Sequence, residues 1–150
     1  MSTSEFISPS EMAHPHWYGN LIGLKADRVE LLIGEVNKGF SYGVLGKLVK
    51  TLSIPLKDVV EAARINPRTL PRRKATGRFQ PDESERLLRL ARITGRALEL
   101  FEGDLAGARR WLNEAQPGLN QQTPLAMSRT EIGAREVEYL IGRLEHGVFT

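Results

Sequence analysis

Residues 65–79 read "INPRTLPRRKATGRF", and this basic stretch decides how the fold is interpreted. Six basic residues and no acidic one lie from Arg64 to Arg78. Residues 56–64, immediately before it, carry apolar residues at helical spacing. Two short helices that meet at a tight turn, the second of them basic, are typical of a helix-turn-helix. The sequence therefore predicts a supporting helix over residues 56–64, followed by a recognition helix.

The recognition helix is expected to begin with Asn66 as its cap and Pro67 as its first residue. Arginine suits guanine edges and phosphates alike, because its guanidinium donates two parallel hydrogen bonds. A solvated basic surface without sequence preference is the alternative. The predicted DNA-binding residues are Arg64, Asn66, Arg68, Thr69, Arg72, Arg73, Lys74 and Arg78.

Pro71 limits the shape of this helix. With Asn66 as cap, Pro71 would be the fifth helical residue and would delete a backbone hydrogen bond, at a cost of about 3 kcal/mol. Either the helix starts later, with Thr69 as cap and Pro71 in the first turn, or the helix is kinked.

The remaining periodicity predicts an all-α fold with a Cro/Xre-like helix-turn-helix domain and a small helical domain after it. Apolar stripes indicate one helix that ends at Gly39, with Val29, Leu32, Ile33 and Val36 inward, and a second helix capped by Ser41. Pro81 begins a helix of about twenty residues, and Asp104 caps a short one that ends near Leu112. No strand-period run of useful length appears.

The last helix is predicted to begin at a capping box of Ser128 and Glu131 and to run to about Glu145, with Gly147 as its stop. Its inward residues are predicted to be Ile132, Val137, Leu140, Ile141 and Leu144.

Charge is placed unevenly along the 150 residues. Residues 57–96 carry a net charge of +6 and residues 97–150 a net charge of −3, which suits a polyanion in the middle and another partner at the end. We divide the chain into a partly ordered segment 1–24, a DNA-binding domain 25–102 and a C-terminal domain 103–150. The apolar residues of the first segment are expected to give it partial order by packing, with another chain of a homodimer as one candidate surface.

Several function classes are not supported by the residues. There is no cysteine, and the three histidines, His14, His16 and His146, lie in no recognisable catalytic or metal-binding setting. No glycine-rich phosphate loop follows a strand. We therefore predict no enzyme activity, no metal, no cofactor and no small-molecule substrate. Without an apolar run long enough for a membrane or a signal peptide, a cytoplasmic location is expected.

Two stretches carry a family resemblance. They are "RTLPRRKATGRFQPDESERLLRLARI" at residues 68–93 and "ALELFEGDLAGARRWLNEAQPGLNQQTPLAMSRTEIGAREVEYLIGRLEHGVFT" at residues 97–150. Together they resemble the Xre-type antitoxins of RES–Xre toxin–antitoxin pairs. The resemblance covers roughly residues 30–150, and the spaced C-terminal pieces make it specific.

The resemblance implies an antitoxin that represses its own operon through operator DNA. It also implies that the C-terminal domain binds a RES-domain toxin, an NAD⁺-depleting enzyme, and that the last helix and tail cover the mouth of the toxin active site. The expected toxin-binding residues are Arg135, Glu138, Tyr139, Arg143, Glu145, His146, Gly147, Val148, Phe149 and Thr150.

Two alternatives stay open at this point. The end of the chain, with Val148 and Phe149, suits a plug for a cleft, but a frayed terminus has the same sequence. A stand-alone helix-turn-helix regulator, with a C-terminal domain for dimerisation or a ligand, would also account for the basic stretch. For the plug, acidic side chains such as Glu138 and Glu145 are expected to enter an electropositive NAD⁺ pocket.

A homodimer is expected, since palindromic operators need one, and its surface would be either the N-terminal segment or the helix at residues 87–101.

Overall fold

The computed structural model describes residues 5–147, and this part of the chain contains eight α-helices and no named strand. The all-α prediction is therefore confirmed for these residues. The helices are α1 Val29–Lys38, α2 Gly43–Leu52, α3 Leu56–Ala62, α4 Leu70–Thr76, α5 Pro81–Leu100, α6 Leu105–Leu112, α7 Pro124–Met127 and α8 Glu131–Glu145. Three short 3₁₀ helices, Trp17–Ile22, Pro67–Thr69 and Pro117–Leu119, complete the regular structure.

α5 is the central helix, against which α1, α2, α6 and α8 all pack. Pro81 opens it as predicted, and the Glu83 carboxylate accepts a hydrogen bond from the Gln80 N–H at 2.7 Å, which completes a capping box. Its leucines at 87, 90 and 98 are fully buried and join a core that runs into both halves of the chain. Leu88 and Leu100 of the same helix are only half-buried.

The N-terminal segment packs on its own chain, where it contacts α5 and the residues that follow it. Trp17 is buried, and its indole N–H donates to the Glu99 carboxylate at 2.7 Å. The Ile7 N–H donates to the Gly103 carbonyl at 2.8 Å. Gly103 has a φ of +88°, and a Cβ there would lie 2.1 Å from the Ile7 carbonyl oxygen. Glycine is therefore required at this junction between α5 and α6, which the segment covers.

Two predicted apolar stripes are only partly buried. In α1, Leu32 is buried, whereas Val29 and Ile33 remain 45% and 55% exposed. In α3, Leu56 is 45% exposed, although Val59 and Val60 are buried as predicted. The physical reason is position: α1 lies at the edge of the molecule against α5, so that only a narrow row of its side chains reaches the core.

The predicted start of the last helix is wrong. Thr130, not Ser128, is the cap of α8, since its hydroxyl accepts the Gly133 N–H at 3.0 Å. Ser128 is buried, and its hydroxyl donates to the Pro124 carbonyl at 2.7 Å, in the short helix α7 that the sequence did not reveal.

Ile132 is likewise not a core residue, because its side chain is 79% exposed. The small residues Gly133 and Ala134 take the inward positions of the first turn of α8. A Cβ at residue 133 would lie 1.8 Å from the Met127 carbonyl oxygen, so α8 approaches α7 at backbone distance there. The close approach leaves no room for a large inward side chain, and Ile132 points away.

Candidate nucleic-acid and protein interfaces

The basic stretch begins as a 3₁₀ helix and becomes α4 only at Leu70. Asn66 caps the 3₁₀ turn, with its side-chain oxygen accepting the Arg68 N–H at 3.0 Å. Thr69 is the cap residue of α4, and Pro71 lies in the first turn, where no intrahelical N–H bond is lost. Of the two alternatives that Pro71 leaves open, the structure therefore has the late start, and the helix is short rather than kinked.

Four cationic side chains of this region are free. Arg64, Arg68, Arg72 and Lys74 are exposed, and within residues 5–147 their side chains make no hydrogen bond or ion pair. α4 itself contains no buried residue. The stretch therefore presents a dense set of unpaired positive charges to solvent, as a phosphate-binding surface requires.

Arg73 and Arg78 differ from these four residues, because their guanidinium groups donate hydrogen bonds within the chain. The Arg73 guanidinium donates to both oxygens of Glu83, at 2.7 and 3.2 Å, and only 13% of its side chain is exposed. The hydrogen bond with Glu83 raises the pKa of Arg73. Arg78 donates to the Gly39 carbonyl at 2.9 Å. The basic sequence pattern does not reveal these two partners, because Glu83 lies on α5 and Gly39 lies at the end of α1.

A row of ion pairs joins α5 to α8, and we call it the α5–α8 ladder. Glu131, Glu138 and Glu145 recur every seven residues and lie on one side of α8. The closest nitrogen–oxygen distances are 3.4 Å for Arg89–Glu131, 2.9 Å for Arg92–Glu131, 3.2 Å for Arg92–Glu138 and 3.1 Å for Arg96–Glu145.

The ladder changes the expectation for the acidic residues of α8. Glu138 and Glu145 neutralise arginines of their own chain, so they are not free acids that await an electropositive pocket. For Glu131, burial acts to raise the pKa, but the hydrogen bonds and charges of Arg92 and Arg89 outweigh it and lower the pKa below its ordinary value. The ladder is therefore a structural device that fixes the rotation of α8 against α5.

The side of α8 that faces away from the core carries large exposed side chains. Ile132 and Tyr139 are 79% and 61% exposed, and Arg135 and Glu136 are exposed between them. Residues at these spacings lie on neighbouring rows of one helix face. We call this set of four residues the outer face of α8.

The structure brings the predicted contact residues of α8 together only in part. Tyr139 and Arg135 belong to the outer face, whereas Arg143 is half-buried. His146 and Gly147 are exposed just beyond the helix. The predicted residues Val148, Phe149 and Thr150 lie outside the described part of the chain. Ile132 and Glu136 belong to the outer face but were not among the predicted contact residues, and the small pair at 133–134 indicates that the inward positions are already taken.

A cleft with a volume of about 520 Å³ adjoins the outer face at its beginning. Its lining includes Met127, Ile132 and Gly133 as well as Arg64 and Arg129. Because Arg64 follows α3, the cleft connects the surface of α8 with the helix-turn-helix. It is open and roomy enough to accept a large side chain of a partner protein.

Among residues 5–147, no group of three or more acidic, histidine or cysteine side chains is placed to hold a metal ion. No helix of the described chain is long and apolar enough to cross a bilayer.

The fold and these two surfaces define a helix-turn-helix protein with a helical C-terminal domain, and comparison with known proteins agrees. Residues 31–92 match the antitoxin Xre-like helix-turn-helix domain. Residues 96–147 match the antitoxin Xre/MbcA/ParS C-terminal toxin-binding domain. The two matched regions meet within α5, a helix that packs against elements of both halves.

Three curated relatives, each named antitoxin Xre, are similar over much of the chain. The protein from Yersinia enterocolitica is 42% identical over 130 residues, which cover 86% of this chain and 88% of the relative. The protein from Photorhabdus laumondii is 33% identical over 95% of this chain and 97% of its own. The protein from Pseudomonas putida is 36% identical over 67% of this chain and 64% of its own.

The chain therefore belongs to the Xre antitoxin family. As a type II antitoxin it combines a helix-turn-helix domain with a toxin-binding domain. The match of its second half to a toxin-binding domain argues against a stand-alone regulator whose C-terminal domain only dimerises or binds a ligand.

Proposed function

We propose that this antitoxin neutralises a RES-domain, NAD⁺-depleting toxin through the outer face of α8 and the tail that follows it. We also propose that it represses its own operon, as a homodimer in the cytoplasm, through the helix-turn-helix formed by α3 and α4. In this proposal the antitoxin has no catalytic role and binds no cofactor. The observation that carries the toxin-binding part is the exposure of Ile132 and Tyr139 on an otherwise well-packed helix.

The outer face has the properties of a protein-binding surface. Exposed isoleucine and tyrosine side chains contribute large contact areas, and tyrosine is enriched among residues that dominate binding energy. The cleft beside Ile132 offers a place for a side chain of the toxin. Both features lie in residues 96–147, the part matched by a toxin-binding domain.

The α5–α8 ladder supports the same function by keeping α8 rigid. Its three glutamates are held by arginines from α5, while Val137, Leu140 and Ile141 are buried on the inward side. A helix that is ordered before binding loses less entropy when the partner docks. The outer face is thus presented in one orientation.

The DNA-binding part of the proposal rests on the free charges of the basic stretch. Arg72 and Lys74 on α4, and Arg68 on the 3₁₀ helix before it, are exposed without side-chain partners in the described chain. Arginine and lysine at such positions neutralise phosphates and release counterions. Arg64, at the end of α3, extends this surface.

The toxin interface is tested by co-expressing the antitoxin with a RES-domain toxin encoded next to it. Ile132→Ser and Tyr139→Ala together should abolish protection, so that cellular NAD⁺ falls and growth stops. Ile33→Ser in α1 is the matched control, because Ile33 is also exposed but lies outside the matched toxin-binding domain. Full protection by the double variant, with unchanged affinity in a pull-down titration, would show that the outer face is not the interface.

The tail is tested separately by a truncation after Gly147. α8 ends at Glu145, so this truncation removes only residues 148–150 and leaves the buried face of α8 intact. If the tail plugs the toxin active site, the truncated antitoxin should still bind the toxin but should inhibit its NAD⁺ hydrolysis less. Unchanged inhibition would identify the tail as a frayed terminus.

The DNA interface is tested by titrating the natural promoter with Arg72→Ala at several salt concentrations. Loss of one phosphate contact should weaken binding and reduce the slope of log K against log salt by about 0.9. Arg110→Ala is the control, because Arg110 is exposed on α6 and its removal changes the net charge equally. Equal effects of the two variants would mean that only net charge matters and that α4 has no specific contact.

A further inference from the structure

Glu83 is an acidic side chain inside the most basic part of the protein. It lies in the first turn of α5, where only 6% of the residue is exposed. One carboxylate oxygen accepts the Gln80 N–H and the Arg73 Nε–H, each at 2.7 Å, and the other accepts a second guanidinium N–H of Arg73 at 3.2 Å. The same carboxylate therefore caps α5 and holds α4.

α4 has few other attachments through its side chains. It is seven residues long, has no buried residue and rests on the core through the half-buried Leu70. Backbone hydrogen bonds fix its end, with the Tyr42 N–H donating to Gly77 at 2.9 Å. Within residues 5–147, the bond from Arg73 to Glu83 is the one ion pair that α4 makes.

We infer that Arg73 and Glu83 are positioning residues for DNA recognition, and that Arg73 does not itself contact DNA. This inference rests on the proposed DNA-binding function and assigns a role within it. Successive residues of a helix project roughly 100° apart, so turning Arg73 toward α5 directs Arg72 and Lys74 to either side and into solvent. A two-bond ion pair has a defined geometry, and it therefore sets the rotation of α4 about its axis.

The inference predicts a change in operator affinity opposite in direction to the one that simple electrostatics predicts. DNA is a polyanion, so removing an acidic residue near the binding surface should strengthen binding or leave it unchanged. If Glu83 positions α4, its removal should weaken operator binding instead. Glu85 provides a close comparison, since it lies two residues away on α5, is exposed and has no partner in the described chain.

The experiment measures operator affinity by fluorescence anisotropy for Glu83→Gln, Glu85→Gln, Arg73→Gln and the double variant of residues 73 and 83. Glu83→Gln should bind on the order of tenfold more weakly than the unaltered antitoxin. Glu85→Gln should bind at least as tightly as the unaltered antitoxin. Both variants change the net charge by the same amount, so a difference between them isolates the role of the ion pair.

The double variant separates positioning from contact. If Arg73 acts only through Glu83, Arg73→Gln should cause no further loss in a protein that already carries Glu83→Gln. An undiminished further loss would show that Arg73 touches DNA and would overturn the inference. Equal or tighter binding by Glu83→Gln than by Glu85→Gln would also overturn it.

Two further measurements keep these outcomes interpretable. Toxin neutralisation should be unchanged in every variant, because Arg73 and Glu83 lie outside residues 96–147. A variant that loses both toxin neutralisation and operator binding would reveal a general folding role for the ion pair and overturn the inference. If Arg73→Gln does not fold, Arg73→Lys keeps the charge but not the two-bond geometry, and should still lose operator affinity. Retention of operator binding by Arg72→Ala, Arg68→Ala and Lys74→Ala would contradict the DNA-binding proposal itself.

Discussion

α4 and α8 are both charged helices, but they use their charges differently. α4 has seven residues, none of them buried, and leaves Arg72 and Lys74 free. α8 has fifteen residues, five of them buried, and commits three glutamates to arginines of α5. A count of charge along the sequence does not distinguish these cases. Much of the positive charge of α5 and the negative charge of α8 is neutralised internally, whereas the basic residues Arg64, Arg68, Arg72 and Lys74 at and before α4 are unpaired within residues 5–147.

The largest expected effect tests the difference in packing between α8 and α4. Ile141 is fully buried in α8, and Ile141→Ala should lower the free energy of unfolding by about 3 kcal/mol, since it removes apolar contacts and leaves a cavity. Leu70→Ala in α4 is the counterpart and should cost about 1 kcal/mol, because Leu70 is only half-buried. Urea unfolding measures both, and equal losses would contradict the unequal packing of the two helices.

Breaking the α5–α8 ladder should have a smaller effect. Arg92 bridges Glu131 and Glu138, and its side chain is 25% exposed. Arg92→Ala should therefore lower the free energy of unfolding by about 1–2 kcal/mol, between the values typical of exposed and of buried ion pairs. Exposed Arg110→Ala serves as the reference, and an equally small loss in both variants would mean that the ladder adds nothing to stability.

The ladder also predicts a direction of pH dependence. Because the pKa of Glu131 is below the 4.5 of an ordinary glutamate, its contribution is complete above about that pH and is lost as the pH falls through its lower folded-state pKa. The free energy of unfolding should decline below pH 4.5 in the unaltered protein and less steeply in Arg92→Ala. Parallel pH profiles of the two proteins would show that the ladder is not responsible.

Cap substitutions compare the beginnings of the two regions directly. Asn66→Ala removes the acceptor of the Arg68 N–H, and Thr130→Ala removes the acceptor of the Gly133 N–H. Each should cost about 1 kcal/mol in the free energy of unfolding. Operator affinity should fall more for Asn66→Ala and toxin affinity more for Thr130→Ala. The reverse pattern in parallel DNA and toxin titrations would contradict the assignment of the two surfaces.

The smallest effect is expected for Pro71→Ala. Proline in the first turn of α4 removes no hydrogen bond, so the substitution should change operator affinity less than about twofold. The free energy of unfolding should fall by about 0.5 kcal/mol, because the unfolded chain gains freedom. A large gain in operator affinity would instead mean that the proline distorts the recognition helix.

Local signals predicted much of the fold. Gly39, Pro81 and Asp104 mark helix ends or starts where the structure has them. Glycine allows the positive φ of +84° found at residue 39, and proline fixes φ at a helical value. Pro71 predicted that α4 either starts late or is kinked, and the structure has the late start. The residue type at one position suffices for such features, so no knowledge of the packing was needed.

Features that depend on two distant elements were not predictable in this way. The exposure of Ile132 follows from the approach of α7 to Gly133, and the partner of Arg73 lies on α5. Periodicity assigns a residue to a face of its own helix but does not say what covers that face. One usable signal was overlooked: the seven-residue spacing of the glutamates in α8 and the arginines at 89, 92 and 96 indicate two complementary faces.

The hydrogen bond from Trp17 to Glu99 has a consequence for folding during synthesis. The two residues are separated by 82 positions, and at about 5–20 residues per second a ribosome needs roughly 4–16 s to make the intervening chain. Throughout that interval the indole ring, buried in the finished fold, has no α5 against which to pack. The nascent chain therefore spends seconds with an aromatic segment that has no packing partner, so this part of the fold forms only after α5 has been made.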